Sequence, residues 1–164
     1  MAAIYLVVHS LTNIEEFLAN NKVSVILSKV PTDNELTNLI ALAHSKLIPV
    51  IIPNDVDKVI KYKADGVHFE NIKNGNLEQL ITNAKLKLSE AHTVGINTNN
   101  SIDVAMAASE LDVDYIMFNN DSPQMQQTIN NWLTDTNIPV VVFDKQDINN
   151  IENNEADFIA IELN

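Results

Sequence analysis

Residues 48–70 read IPVIIPNDVDKVIKYKADGVHFE, and this stretch decides the fold. PVII (49–52) and GVHF (66–69) are short, apolar and rich in β-branched residues, as strands buried on both faces are. Between them VDKVIKY (56–62) follows Asn54-Asp55, a pair of the kind that caps a helix start. A strand, a short helix and a second strand joined by tight loops make one βα unit of a parallel sheet. Asp65-Gly66, just ahead of the second strand, reads as turn chemistry at the closed end of such a sheet.

The unit recurs along the whole chain. Further strand candidates are IYLVV (4–8), VSVIL (23–27), TVGI (93–96), DYIMF (114–118), PVVVF (139–143) and DFIAI (157–161). NIEEFLAN, DNELTNLIALAHS, NLEQLITNAKLKL, SIDVAMAASEL and SPQMQQTINNWLT lie between them, with apolar residues recurring at three and four. Strand starts follow one another at close to the shortest spacing that holds a strand, a short helix and two loops. A longer repeat overlies this one: IPVIIPND…ADGVHFE returns as IPVVVFDK…ADFIAIE from residue 138, as two half-domains of equal build would produce. Eight near-equal units predict one domain over 1–164, a small (βα)8 TIM-type barrel rather than an open doubly wound sheet. The sequence stops soon after the eighth strand, so the last helix is expected to be missing. The outer face of that strand is then expected to be covered by a second copy, giving a homodimer, or by a neighbouring helix.

Composition narrows the partners. The formal charge is −12, from 22 acids against 10 cations, and every cation is a lysine. Such a chain repels phosphate backbones and anionic lipid, so neither nucleic acid nor membrane is expected as a partner. Cysteine is absent, which removes disulfides, thiolate catalysis and cysteine metal sites and is compatible with the cytoplasm. AAIYLVV at the start is too short for a signal segment or a membrane span and reads as the first strand. Asparagine occurs 23 times, scattered, and is taken as compositional bias.

In a βα barrel the reactive groups stand at the C-terminal ends of strands. Those positions are His9, Lys29, Asn54 with Asp55, Glu70, Asn97, Asn119 to Asp121, Asp144 and Glu162. Asp55, Glu70, Asp121, Asp144 and Glu162 are expected to converge, either as a weak cation site or as a solvated acidic rim. Asp55 reads first as a helix cap, with a metal ligand as the other reading. His68, between Val67 and Phe69, reads as a hydrogen-bonded core histidine or as a ligand group. His9 and Glu70 face each other across the mouth, with no nucleophile or triad spacing beside them. His44 and His92 read as surface residues, and Trp132 as core or interface packing.

The order IPVIIPNDVDKVIKYKADGVHFE, then HTVGINTNNSIDVAMAASELDVDYIMF, resembles the thiamine-phosphate synthase and thiazole tautomerase family of small βα barrels. That family shows an apolar strand ending in Asn-Asp, then Ala-Asp-Gly-Val-His, then Gly-Val-Ser before a helix, then Ala-Asp-Tyr. The likeness is clear from about residue 47 to 118 and weak beyond. It implies joining of a hydroxymethylpyrimidine diphosphate to a thiazole phosphate, with magnesium on the departing diphosphate. Asn54 and Asp55 match the Asn-Asp pair, so the resemblance assigns magnesium to Asp55.

Other positions depart from the family. Its second magnesium carboxylate falls on Lys73, its serine on Asn97, and its Gly-Pro loop with a catalytic lysine on Asn119-Asn120-Asp121-Ser122-Pro123. The arginine expected near the second strand is replaced by Lys29. The resemblance implies a phosphate cup made by a Gly-Gly turn after strand seven and backbone amides after strand eight, since glycine lets the backbone approach the oxygens closely. The glycines here are Gly66, Gly75 and Gly95, and those strands end in Asp144 and Glu162. The expectation is a divergent, catalytically degenerate member acting as a binding or interaction domain, with no catalytic residue. Asn54, His68, Glu70, Asn97, Asp144 and Glu162 are its candidate ligand contacts and Asp55 its candidate magnesium ligand. The alternative is an active synthase or a related thiazole phosphate isomerase.

Overall fold

The structure is a computed structural model that describes residues 2–73, 75–143 and 156–163. Its strands are β1 (Ala3–Val8), β2 (Val23–Ser28), β3 (Val50–Pro53), β4 (Gly66–Phe69), β5 (Thr93–Asn97), β6 (Tyr115–Asn119), β7 (Val140–Phe143) and β8 (Phe158–Leu163). The helices of the described residues are α1 (Ile14–Asn20), α2 (Asp33–Ser45), α3 (Val56–Tyr62), α4 (Leu77–Lys87), α5 (Ile102–Glu110) and α6 (Pro123–Asp135). Every strand pairs in parallel with the next and β8 pairs with β1, closing the expected barrel. All eight expected strands occur, with ends shifted by a residue or two. Among the described residues no helix is long and apolar enough to cross a membrane.

Alternation along the strands sorts side chains into two cores. Leu6, Ile26, Val50, Val67, Ile96, Phe118 and Val142 point outward into the layer shared with the helices. Tyr5, Leu27, Ile51, Tyr115, Met117, Val141 and Ala160 fill the barrel interior. Both faces are apolar because both are buried, so the strands read as near-continuous hydrophobic runs. On β8, Ile159 is buried in the outer layer, while Ile161 and Leu163 beside it are half-buried.

The helices begin where side chains meet orphan amides. Thr32 accepts from the Glu35 N–H at 3.2 Å, Ser101 from Val104 at 3.3 Å and Ser122 from Met125 at 3.1 Å. Pro123 occupies the first turn of α6, where its missing N–H costs nothing.

The closed end of the barrel carries a recurring staple. Asp65, Asp114 and Asp157 stand just before β4, β6 and β8. Their carboxylates accept the N–H of Val50 at 2.7 Å, Val94 at 2.7 Å and Val140 at 2.9 Å at the start of the preceding strands. The Ala-Asp of residues 64–65 and that of 156–157 therefore do the same work four strands apart, with Asp114 doing it midway between them. Asp65 also meets His44 Nε2 at 2.7 Å, so this exposed histidine is tied to the staple.

Candidate functional site: the barrel mouth and the polar core beneath it

Three aromatic rings lie under the mouth. Tyr5 of β1, His68 of β4 and Tyr115 of β6 meet inside the barrel, with the Tyr5 and Tyr115 hydroxyls 2.7 Å apart and the Tyr115 hydroxyl 2.7 Å from His68 Nδ1. The His68 and Tyr115 rings stack at 16°. Room for this comes from missing side chains, since a Cβ on Gly95 would fall 2.0 Å from Tyr115 Cζ. Burial, aided by the nearby Lys29 ammonium, pushes the His68 pKa down from 6.5 to about 3, so the ring is neutral. Burial likewise raises both tyrosines above their ordinary value, so neither ionises at neutral pH. The fewest groups go unmet if Tyr5 donates to Tyr115 and Tyr115 donates to His68 Nδ1, leaving the imidazole proton on Nε2. Among the described residues that Nε2 has no hydrogen-bond partner. His68 is thus the hydrogen-bonded core histidine of the first reading, with one ring nitrogen still open.

Asn54 ties β3 to β4. Its backbone adopts a positive φ of 59°, which asparagine tolerates better than most residues. From there its N–H donates to the His68 carbonyl at 3.0 Å and its Oδ1 accepts the Glu70 N–H at 2.9 Å. Asn54 positions Glu70, whose carboxylate meets Lys29 Nζ at 3.0 Å. Asp55 caps α3, accepting the Lys58 N–H at 2.9 Å. Replacing Asp55 with Ala is expected to cost about 1 kcal/mol and with Asn a few tenths, because asparagine caps equally well. Chemical denaturation of the two variants checks this, and an equal loss would contradict the cap.

Lys29, Asp55, Lys58 and Glu70 line a cleft of about 370 Å³ at the ends of β2 and β3. Its charges balance, two lysines against two carboxylates, and Lys58 also reaches Asp33 at 3.1 Å. On the far side, Asn97 Oδ1 accepts the Asn99 N–H at 3.0 Å in a tight turn. Asn100 then clamps the end of β6, accepting the Asn119 N–H at 2.8 Å and donating to the Asn119 carbonyl and to Asp121 Oδ2, each at 3.1 Å.

The expected convergence of carboxylates takes a different form. Asp55 and Glu70 share the cleft, Asp121 goes to Asn100, and Glu162 meets His9 Nε2 at 3.3 Å, with both side chains about two-fifths exposed. Asp144 lies outside the described residues. His9 and Glu70 do not pair with each other: His9 meets Glu162 at the end of the adjacent β8, and Glu70 meets Lys29 across β3 from the end of β2. Among the described residues no group of three or more histidines and acids stands together to hold a metal. Magnesium takes one or two carboxylates together with waters and phosphate oxygens; in this cleft Asp55 Oδ1 accepts the helix-cap N–H and Glu70 is paired with Lys29. Trp132 meets Phe118 edge to face at 5.9 Å, so it packs under α6.

Sequence reading missed Tyr5 and Tyr115 as partners of His68, and Asn100 as a brace. The available signal was a polar aromatic inside an apolar strand together with a glycine on the neighbouring strand.

A profile described as thiamine monophosphate synthase matches residues 27–162. Among solved structures, the thiamine phosphate pyrophosphorylase from Pyrococcus furiosus superposes with a TM-score of 0.73 at 16% identity, over 98% of this chain and 85% of that one. The native KDPGal structure gives a TM-score of 0.69 at 14% identity, over 96% and 81%. A cube-shaped protein cage designed by fusing symmetric oligomeric domains gives 0.67 at 14%, over 99% of this chain and 64% of that one. At these identities the likeness is one of fold. A comparison with curated proteins returns no match.

Proposed function

The chain belongs to the thiamine monophosphate synthase family, and from that premise we propose that it is a non-catalytic binding barrel of the family. The observation that carries the reading is Lys29, a cation of the cleft, held by Glu70 at 3.0 Å. Transfer chemistry with a diphosphate leaving group needs free cations or metal where negative charge grows. Here the cleft is neutralised from within, its aspartate caps a helix, and glycine is absent beyond residue 95. Asn54, Glu70 and Asn97 belong to the proposed ligand surface, with His68 Nε2 beneath them. Glu162 completes it on the opposite side, and Asp144 lies outside the described residues.

The test has two arms. With hydroxymethylpyrimidine diphosphate, thiazole phosphate and magnesium, no thiamine phosphate is expected. With millimolar pyrophosphate and magnesium, no rise in Tm is expected for the native chain, whereas Glu70→Gln, which frees Lys29, should gain one. Product formation that Asp55→Asn abolishes would overturn the reading, since that variant keeps the helix cap and loses only the charge. The rival reading, an active synthase or thiazole phosphate isomerase, draws on the intact Asn54-Asp55 pair and predicts that product.

A cytoplasmic setting, in keeping with a cysteine-free chain, is part of the same reading. So is a homodimer built on the outer face of β8, where Ile161 and Leu163 are half-buried. Light scattering at micromolar concentration tests the dimer, and a monomer would remove it.

A further inference from the structure

On the outside of the barrel, α5 and α6 leave a groove of about 520 Å³ between them. α5 packs against α4, and no comparable contact joins it to α6. Ala105 and Ala108 turn inward, so α5 presents Ile102, 38% exposed, and Met106, 56% exposed, to the gap. Trp132 closes it from α6. Two exposed apolar side chains beside a half-buried tryptophan give the groove an apolar floor.

Charge says what covers it. Glu110 and Asp135 stand on the groove's rim, Asp103 lies on α5, and neither helix carries a lysine. Along the chain no cation occurs between Lys87 and Lys145. An apolar floor with an acidic rim and no compensating cation is complementary to a segment carrying apolar residues flanked by lysine or arginine. It is poorly suited to a second copy, which would bring another groove without a lysine and a second net charge of −12 to the contact. Anionic lipid is repelled for the same reason.

We propose that the α5–α6 groove docks a cationic amphipathic helix of a protein partner, seating its apolar residues on Ile102, Met106 and Trp132 and its cations on Glu110 and Asp135. This inference does not depend on whether the mouth is catalytic.

Trp132 is the one tryptophan of the chain, so its fluorescence reports the groove directly. The probe is a synthetic Leu/Lys amphipathic helix of about 15 residues, with a Leu/Glu peptide of the same length as control. The Leu/Lys peptide is expected to shift Trp132 emission saturably, one peptide per chain, and the Leu/Glu peptide to do nothing. Met106→Asp, at an exposed position that leaves the fold intact, should weaken binding about tenfold or more, as loss of a central apolar contact does. Glu110→Lys with Asp135→Lys should weaken it similarly. Unchanged affinity in Met106→Asp would overturn the proposal, since binding would then be general attraction to an acidic protein. Equal binding of the Leu/Glu peptide would overturn it too. So would a native dimer that Met106→Asp converts to monomer, because the groove would then hold a second copy.

Discussion

Gly95→Ala is expected to destabilise the barrel by about 3 kcal/mol, lowering Tm by roughly 6–12 °C, the upper end of what overpacking a dense core costs in a chain of this length. The reason is steric. The added methyl would sit 2.0 Å from Tyr115 Cζ and 2.2 Å from Cε1, inside the ring's own radius. Gly95 does not adopt a positive φ, so backbone conformation adds nothing to the penalty. The ring cannot easily retreat, because its hydroxyl is fixed between Tyr5 and His68. Tyr115→Leu removes the obstructing ring, so the double variant should lose less than the sum of the two single losses by about 1–2 kcal/mol. Thermal and chemical denaturation measure this, and a Gly95→Ala protein melting with the native one would show that the interior is not packed this way.

The second large effect is a loss of stability in acid caused by His68. In the folded barrel its pKa is about 3, and in the unfolded chain about 6.5. The depressed value means that the unfolded state takes up a proton below pH 6.5 while the folded state does not. His68's contribution is therefore complete above about pH 6.5 and is lost progressively as pH falls toward 3. The loss is about 2 kcal/mol by pH 5 and on the order of 5 kcal/mol in full, comparable with the whole stability of a small domain. His68→Gln keeps a polar side chain beside Tyr115 and cannot take up that proton. Urea denaturation at pH 7.5 and pH 5.0 should show the native protein losing about 2 kcal/mol more than the variant between the two. Equal losses would mean that His68 is not held neutral in the core.

Both effects arise in the barrel interior, and the mouth inherits its arrangement from that interior. The backbone of His68 receives the Asn54 N–H, Asn54 holds the Glu70 N–H, and Glu70 holds Lys29. The polar core and the cleft are thus joined through one short path across β3 and β4. Charge at the cleft in turn helps keep His68 neutral, through Lys29.

Much of the architecture was legible beforehand, and particular residues show why. PVII and GVHF carry a strand pattern in their own composition, and DNELTNLIALAHS carries a helix pattern that the structure reproduces end to end as α2. Helix starts were readable because a capping contact spans only three residues, whereas Asp65, read as turn chemistry, gives its carboxylate to the Val50 N–H 15 residues earlier. The cap reading of Asp55 was open to sequence in that way, its partner being three residues away. Asn100, set aside as compositional bias, braces β5 and β6 through contacts 19 residues apart that no local pattern records.

The sequence by itself determined the alternation of strand and helix, the doubling of the half-barrel and the burial of both strand faces, since each follows from periodicity and composition within a few consecutive residues. Only the tertiary structure decided that Tyr5 meets Tyr115 across 110 positions, that Lys29 faces Glu70 and His9 faces Glu162, and that α5 and α6 stand apart. Those outcomes depend on the register with which eight strands close into a ring, and that register is an energy summed over the whole barrel.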